Sequence, residues 1–347
     1  MKWYDAHQPP FTLHGLVQED GYRRLPESMF PALRPPVARL AMQTSGGRIR
    51  FATDASQMAI RIVLTDTVIK THMTPLNMAG AELYSGSGTD LRRIKFLRPQ
   101  AQGAGTVPFE KLDGYGICKE TEHTVDLSGA LETYTIYLPC FAGVEKIEIG
   151  LPEEAAVQTA QAYAIPKPVV FYGSSITHGA CAGRPSLTWP ARVCAALDAD
   201  FVNLGFAGNA MGDSEIAQYI AGMEMSAFVL DYDWNAPTPE FLFETHKPFF
   251  DTVRACNPEL EILIISRFES GHRPVEDTAA RFNVIRQTYE AALKRGDRHV
   301  TLLDGRTFFD PQESDLCLMD FIHPNDYGFH RMAEKILPVL TRVLEQS

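Results

Sequence analysis

The apolar positions of the chain change their spacing near residue 160. Before it, short runs rich in β-branched and aromatic residues alternate with turn clusters such as Ser45-Gly46-Gly47, a pattern typical of strands joined by tight turns. We therefore expect an all-β sandwich domain of the jelly-roll type, with an opening too rich in proline for regular helices. The predicted strands are 48–52, 58–65, 94–97, 123–127, 132–138 and 146–151.

Beyond residue 168, short apolar runs alternate with longer stretches that are compatible with helices. Short apolar runs between turn signals are typical of buried parallel strands, and the alternation predicts a flavodoxin-like, three-layer α/β/α domain. Residues 165–168 indicate an extended, proline-containing linker, so the predicted domains are 1–160 and 161–347. The predicted strands are 169–172, 201–204, 227–230, 261–265 and 300–303, and the predicted helices are 189–197, 214–223, 239–256, 278–294 and 327–344.

Charge and cysteine content argue against several classes of function. The 347 residues carry a net charge of -11, which does not favour nucleic-acid binding, because phosphate contacts need clustered Lys and Arg. The six cysteines form no CxxC pair and no Cys/His ligand spacing, so no metal site is expected. The start lacks the apolar core of a signal peptide and no run of 18 apolar residues occurs. We therefore expect a cytoplasmic protein that does not enter a membrane.

Candidate chemistry follows the predicted strands of the second half. Ser174 and Ser175 come directly after the first strand, where open α/β sheets place their ligands, although they could also form only a turn and a helix cap. Three further segments, 203–210, 231–237 and 320–326, bring small or polar residues to neighbouring strand ends or to the C-terminal region. We expect these loops to converge on one cleft.

These segments contain the parts of a serine hydrolase. Ser175 is the candidate nucleophile, His323 the base that takes its proton, and Asp320 the carboxylate that orients the imidazole. The backbone N–H of Gly208 and the side-chain amide of Asn235 are candidate donors to the oxyanion. Such chemistry requires no cofactor.

Several other residues allow two interpretations. His178 and Trp234 could contact a substrate. Alternatively, His178 could belong to the loop surface and Trp234 to the core. Asp231 and Asp233 could bind a divalent cation, but two carboxylates without a third ligand are more often hydrogen-bond anchors. Gly205 could be a simple turn glycine.

The four segments together resemble the signature blocks of the SGNH hydrolases, the GDSL-type esterases and lipases. Residues 173–177 read G-S-S-I-T and resemble the G-D-S-[IL]-[ST] block, with Ser174 in place of the commoner Asp. The resemblance implies that Ser175 is the nucleophile and an oxyanion donor. It also implies that Gly208 and Asn235 complete the oxyanion hole, and that Asp320 and His323 form the D-x-x-H block.

Residues 80–84 read G-A-E-L-Y and are similar to the G-x-D-L-Y signature of a β-sandwich domain found ahead of such hydrolases. Proteins with this layout are often carbohydrate acyl esterases, so the resemblance implies removal of O-acetyl groups from a saccharide. A small-molecule or oligosaccharide ester is the expected partner. An acyltransferase with the same site, or a degenerate carbohydrate-binding protein, remains an alternative, and the oligomeric state is left open.

Overall fold

The computed structural model describes residues 1–18, 21–65, 70–100, 116–271 and 273–345, and it consists of two domains. The first is built from two antiparallel sheets, one with the order β1-β9-β4-β7 and one with the order β10-β3-β8-β5-β6, in which β2 also pairs with β3. The strands are β1 Lys2–Asp5, β2 Thr12–His14, β3 Arg48–Thr53, β4 Gln57–Leu64, β5 Ala81–Ser85, β6 Arg92–Leu97, β7 Glu120–Asp126, β8 Glu132–Tyr137, β9 Val144–Leu151 and β10 Val157–Gln158.

The inward faces of these sheets form a hydrophobic core of their own. Fully buried side chains such as Phe51 and Ile60, on β3 and β4, belong to one cluster with Ile149 on β9. Alternating burial along β4 is typical of a strand with one face on a core.

The second domain is a parallel five-stranded sheet with the order β12-β11-β13-β14-β15, which confirms the predicted α/β class. Gly173, the last residue of β11, pairs with Gly205 on β12 and with Asp231 on β13, so these strands end side by side. The elements are β11 Ile165–Gly173, α3 Ser175–His178, α4 Trp189–Ala196, β12 Ala199–Gly205, α5 Ser214–Ala221, β13 Ala227–Asp231, α6 Pro239–Cys256, β14 Ile262–Ile265, α7 Val275–Lys294, β15 Val300–Leu303, α8 Ser314–Cys317 and α9 Asp326–Glu345.

The prediction that the proline-rich opening holds no helix is wrong. A helix, α1, covers Pro35–Ala41 and starts with proline at its first positions, where the missing N–H costs nothing. A second short helix, α2, covers Pro75–Ala79. Strands β1, β2, β5 and β10 were also not predicted, and residues 165–168 begin β11 instead of forming a separate linker.

The two domains share contacts that hold them together. Val37 and Leu40 of α1 pack in one cluster with Leu204 of β12 and Ile216 of α5. Glu82 on β5 is fully buried, and its carboxylate accepts a hydrogen bond from the Ser186 backbone N–H at 2.8 Å. These apolar and polar contacts anchor the sandwich domain to the α/β domain.

Within the part of the chain that the structure describes, no helix is both long enough and apolar enough to cross a membrane.

Candidate active site

Ser175 stands at the start of the short helix α3, directly after β11. Ser174 caps this helix, because its hydroxyl accepts a hydrogen bond from the Ile176 N–H at 3.2 Å. The helix ends at His178 and is followed by Gly179, whose φ of 103° lies in the left-handed region. The cap therefore belongs to Ser174, and the Ser175 hydroxyl is left available for other contacts.

Ser175, His323 and Asp320 form a chain of hydrogen bonds. Ser175 Oγ lies 2.9 Å from His323 Nε2, and His323 Nδ1 lies 2.8 Å from Asp320 Oδ2. The other carboxylate oxygen of Asp320 accepts from the backbone N–H groups of Ile322 and His323, both at 2.7 Å. Partial burial alone would raise the pKa of Asp320, but these hydrogen bonds outweigh it and hold that pKa below its ordinary value.

The loop that carries this pair is closed by local backbone contacts. The Met319 N–H donates to the His323 carbonyl at 2.8 Å. Asn325, and not Asp320, caps the last helix, because its side-chain oxygen accepts from the N–H groups of Tyr327 and Gly328. The Asp320 carboxylate is thus free to orient His323.

Gly208 and Asn235 face the same cavity as Ser175 and His323, a space of about 330 Å³. Gly208 has a φ of 71°, which favours glycine, and no atom of another residue would approach a Cβ built on it within 4 Å. The side-chain oxygen of Asn235 accepts from the Ala210 N–H at 3.2 Å. This hydrogen bond leaves the NH₂ group of Asn235 as a potential donor.

Two arginines of the first domain hold the segment around Gly208. Arg24 is buried and donates to the carbonyls of Asn203 at 3.1 Å and Gly205 at 2.5 Å. Its burial lowers the pKa of Arg24 from its ordinary value. Arg34 donates to the Asn209 carbonyl at 2.6 Å and pairs with Asp213. The backbone on both sides of Gly208 is therefore tied to the sandwich domain.

Asp231 and Asp233 are hydrogen-bonded to protein groups. Asp231 accepts from the Thr177 hydroxyl, and Asp233 accepts from the Arg267 N–H at 2.9 Å. Burial raises the pKa of Asp231 to about 7 and that of Asp233 to about 6. These contacts support the interpretation of both residues as hydrogen-bond anchors.

His178 does not line the cavity and does not lie on the surface, so the structure contradicts both interpretations of this residue. Its side chain is fully buried and stacks on Phe141, with ring centroids 4.2 Å apart, and its Nε2 lies 2.7 Å from the Cys140 carbonyl. Trp234 does line the cavity and also contacts Phe268.

The sequence did not point to the cavity residues supplied by other loops. Lys70, His72, Met73 and Phe141 come from the first domain, and Arg273 comes from the segment before α7. The ring of His72 lies 6.2 Å from that of His323. No local motif marks these positions, because the packing of segments distant in sequence brings them to the serine.

Cys181, Asp320 and His323 form one group of potential metal ligands among the described residues, with ligand atoms within 4.8 Å of one another. Burial raises the pKa of the Cys181 thiol to about 12, whereas a metal ligand must be a thiolate. Asp320 and His323 already bind each other, so these residues fit a metal poorly.

Comparison with solved structures shows the same fold in several proteins. A protein from Bacteroides ovatus ATCC 8483 described as a GDSL-like lipase has a TM-score of 0.86 at 23% identity, over 99% of this chain and 98% of that chain. The salicylyl-acyltransferase SsfX3 from a tetracycline biosynthetic pathway has a TM-score of 0.76 at 21% identity, over 99% and 98%. A family two carbohydrate esterase from Cellvibrio japonicus has a TM-score of 0.60 at 11% identity, over 99% and 98%.

No curated protein matches the chain. Comparison with family models gives two matches that together cover most of it. Residues 1–157 match the GxDLY family, described as the N-terminus of Esterase_SGNH_hydro-type, as residues 80–84 suggested. Residues 166–341 match the GDSL-like Lipase/Acylhydrolase family model. The chain therefore belongs to the GDSL-like lipase/acylhydrolase family.

Proposed function

We propose that the protein is a serine esterase that hydrolyses short-chain O-acyl esters, with O-acetyl groups on a carbohydrate as its substrate. The observation that carries the proposal is the continuous hydrogen-bond chain from Ser175 through His323 to Asp320. In serine hydrolases this order lets the imidazole remove the hydroxyl proton while the carboxylate fixes the imidazole's tautomer.

The reaction follows two steps of acyl transfer. Ser175 Oγ attacks the ester carbonyl while His323 Nε2 takes its proton and then donates it to the leaving alcohol. Water, activated by His323, next attacks the acyl-enzyme and releases Ser175. The developing oxyanion is bound by the N–H groups of Ser175 and Gly208 and by the NH₂ group of Asn235. Ser175 is suited to this role because the first N–H groups of a helix have no partner within it.

The size of the cavity supports a short acyl group. About 330 Å³ must hold the acyl group and part of the alcohol, which lies at the lower end of small-molecule sites. We expect hydrolysis of 4-nitrophenyl esters to be fastest for acetate to butyrate. A rate that increases steadily with longer chains would contradict this preference.

The test of the function combines labelling with substitution. A neutral fluorophosphonate should label Ser175 in the wild type and not in Ser175→Ala, because only an activated serine reacts. Ser175→Ala should also lose at least about 10³-fold in kcat on 4-nitrophenyl acetate. Retention of most of the activity in Ser175→Ala would remove the serine from the mechanism. An unlabelled wild type without turnover would favour a degenerate binding protein.

An acyltransferase is the second candidate, favoured by the likeness of fold to SsfX3 over 99% of the chain. The acyl-enzyme would form in the same way, and a sugar hydroxyl would replace water in the second step. Product analysis with a second carbohydrate present distinguishes the two, since a transferase yields a new ester and an esterase only the free acid.

A further inference from the structure

The cavity beside Ser175 is positively charged in a protein whose net charge is -11. Lys70 and Arg273 line it together with two histidines, His72 and His323. Within the described ranges, no Asp or Glu side chain lines this cavity. Its charge therefore differs in sign from the average of the molecule.

Lys70 places a cation on the wall that the sandwich domain supplies. Its ammonium lies 5.7 Å from the centroid of the Phe141 ring, which in turn stacks on the buried His178. Within the described residues, Lys70 forms no ion pair. Lys70 therefore brings a positive charge to the cavity lining, and no carboxylate of the described residues pairs with it.

Arg273 supplies the second cation from the α/β domain. The nearby arginines Arg267 and Arg281 both pair with Asp277, at 2.6 and 3.1 Å. Arg273 has no such partner among the described residues, and its side chain is exposed. The two inner arginines are thus neutralised, whereas Arg273 lines the cavity and pairs with no carboxylate of the described ranges.

Asp320 is the carboxylate bound to His323, which lines the cavity. Both of its oxygens are occupied by the hydrogen bonds to Ile322 and His323, and it does not line the cavity. Asp320 therefore pairs with His323 and forms no ion pair with Lys70 or Arg273.

We infer that the cavity selects esters that carry a negative charge, such as a carboxylate, close to the scissile carbonyl. The inference rests on the proposed esterase function and adds a substrate class to it. Unpaired cations in a concave site attract anions and bind them with charge-assisted hydrogen bonds. A neutral ester of the same size makes the contacts with Ser175 and the oxyanion donors but not those with Lys70 and Arg273.

The experiment compares pairs of esters of similar size, in each of which one member carries a carboxylate and the other is neutral. On the acyl side, 4-nitrophenyl hydrogen glutarate is compared with its neutral methyl ester. On the alcohol side, an O-acetylated methyl glucuronoside is compared with the O-acetylated methyl glucoside. We expect the wild type to prefer the charged member of at least one pair by about tenfold in kcat/KM at low salt, as one favourable charge pair would give. The pair that shows the preference identifies the side of the ester that carries the charge.

The preference should have the signature of electrostatics. It should decrease between about 0.01 M and about 1 M salt, over which the Debye length falls from about 30 to about 3 Å. In the double variant Lys70→Met/Arg273→Gln, the ratio of the two rates should approach one.

A matched control removes the same charge elsewhere. Lys294 and Arg298 are exposed and lie where α7 ends and β15 begins, at the edge of the sheet away from the serine. The double variant Lys294→Met/Arg298→Gln should keep the wild-type ratio.

Equal rates for both members of both pairs, or a preference that survives in Lys70→Met/Arg273→Gln, would overturn the inference while leaving the esterase proposal intact. The esterase proposal fails differently, with no turnover of any of the four esters and no labelling of Ser175 by a neutral fluorophosphonate.

Discussion

At the scale of single residues, Asp320 acts on His323 through both of its oxygens. One oxygen binds the ring nitrogen and the other binds two backbone N–H groups, so the carboxylate fixes the ring and the loop together. Within the described residues, no backbone carbonyl is hydrogen-bonded to His323 Nδ1. The orientation of this histidine therefore depends on Asp320.

Asp320→Asn should reduce kcat by about 10³- to 10⁴-fold, because an amide NH₂ beside Nδ1 favours the tautomer in which Nε2 cannot accept the serine proton. Steady-state kinetics on 4-nitrophenyl acetate measures the loss. Asp326→Asn, which changes a carboxylate bound instead to the Gly183 N–H, serves as the control and should keep most of its activity. A loss of less than tenfold in Asp320→Asn would mean that another group orients His323.

Asp231 links pH to stability. Burial raises its pKa from 3.8 to about 7, so between these values the folded state holds a proton that the unfolded state has released. The stability that this bound proton gives the folded state is fully present below pH 3.8 and is lost as the pH rises through about 7. The free energy of unfolding falls by at most about 4 kcal/mol over this range because of Asp231.

Asp231→Asn should remove this part of the pH dependence, because the amide can still accept the Thr177 hydrogen bond without charging. Denaturant unfolding of both proteins from pH 4 to about 8 should show the variant gaining stability relative to the wild type as the pH rises. Asp315→Asn, the loss of an exposed carboxylate, is the control. A constant difference between the two curves would show that Asp231 does not titrate in this range.

At the scale of elements, the close contact between β12 and α3 positions the serine. A Cβ on Gly205, at the end of β12, would overlap the backbone nitrogen of His178 in α3. Gly205 is therefore required by the packing of the strand against the helix that begins with Ser175, and it is more than a turn glycine.

Gly205→Ala should displace α3, lower stability by about 1–3 kcal/mol and lower the rate of the proposed ester hydrolysis. Thermal unfolding and 4-nitrophenyl acetate hydrolysis measure the two effects. Gly222→Ala is the matched control, because a Cβ there would meet no atom closer than 3.6 Å and its φ of -88° suits alanine. If both variants behaved alike, the contact between β12 and α3 would not constrain the serine.

The sequence predicts those elements whose signal is local. The five parallel strands are apolar runs flanked by long helices, and Pro239–Cys256 agrees with the predicted helix at both ends. Strands β1, β2 and β10 contain four, three and two residues, and partners distant in sequence determine their pairing. The helix α1 was missed because proline was taken as excluding a helix, although proline is compatible with its first turn.

The same distinction applies to the site. Five residues of the site lie in short motifs at strand ends or near the C-terminus, so their convergence could be predicted. They are Ser175, Gly208, Asn235, Asp320 and His323. Lys70 and Phe141 reach the cavity through the packing of two sheets whose strands pair over long sequence distances. No pattern in one sequence records such a position.

At the scale of the whole molecule, Glu82 joins the two domains. Its carboxylate is fully buried, accepts from the Ser186 N–H and lies 2.8 Å from Arg184 Nε. The residue occupies the acidic position of the motif at 80–84, so the motif serves here as a link between domains.

Glu82→Ala should lower the free energy of unfolding by about 3–5 kcal/mol, because the Arg184 side chain and the Ser186 N–H both lose their partner. Glu82→Gln should cost less. Glu145→Ala, which removes an exposed pair with Lys119, is the control and should cost about 1 kcal/mol or less. Denaturant unfolding measures all three, and equal losses for Glu82→Ala and Glu145→Ala would argue against a link through Glu82.

The shared wall of the cavity has a consequence for how such a protein can diversify. The exposed residues 70–72 belong to the domain that carries none of the hydrogen-bonded trio. Surface loops tolerate substitution better than strand ends that are fixed by packing. After gene duplication, substrate preference could therefore drift in one domain while selection maintains the reaction chemistry in the other.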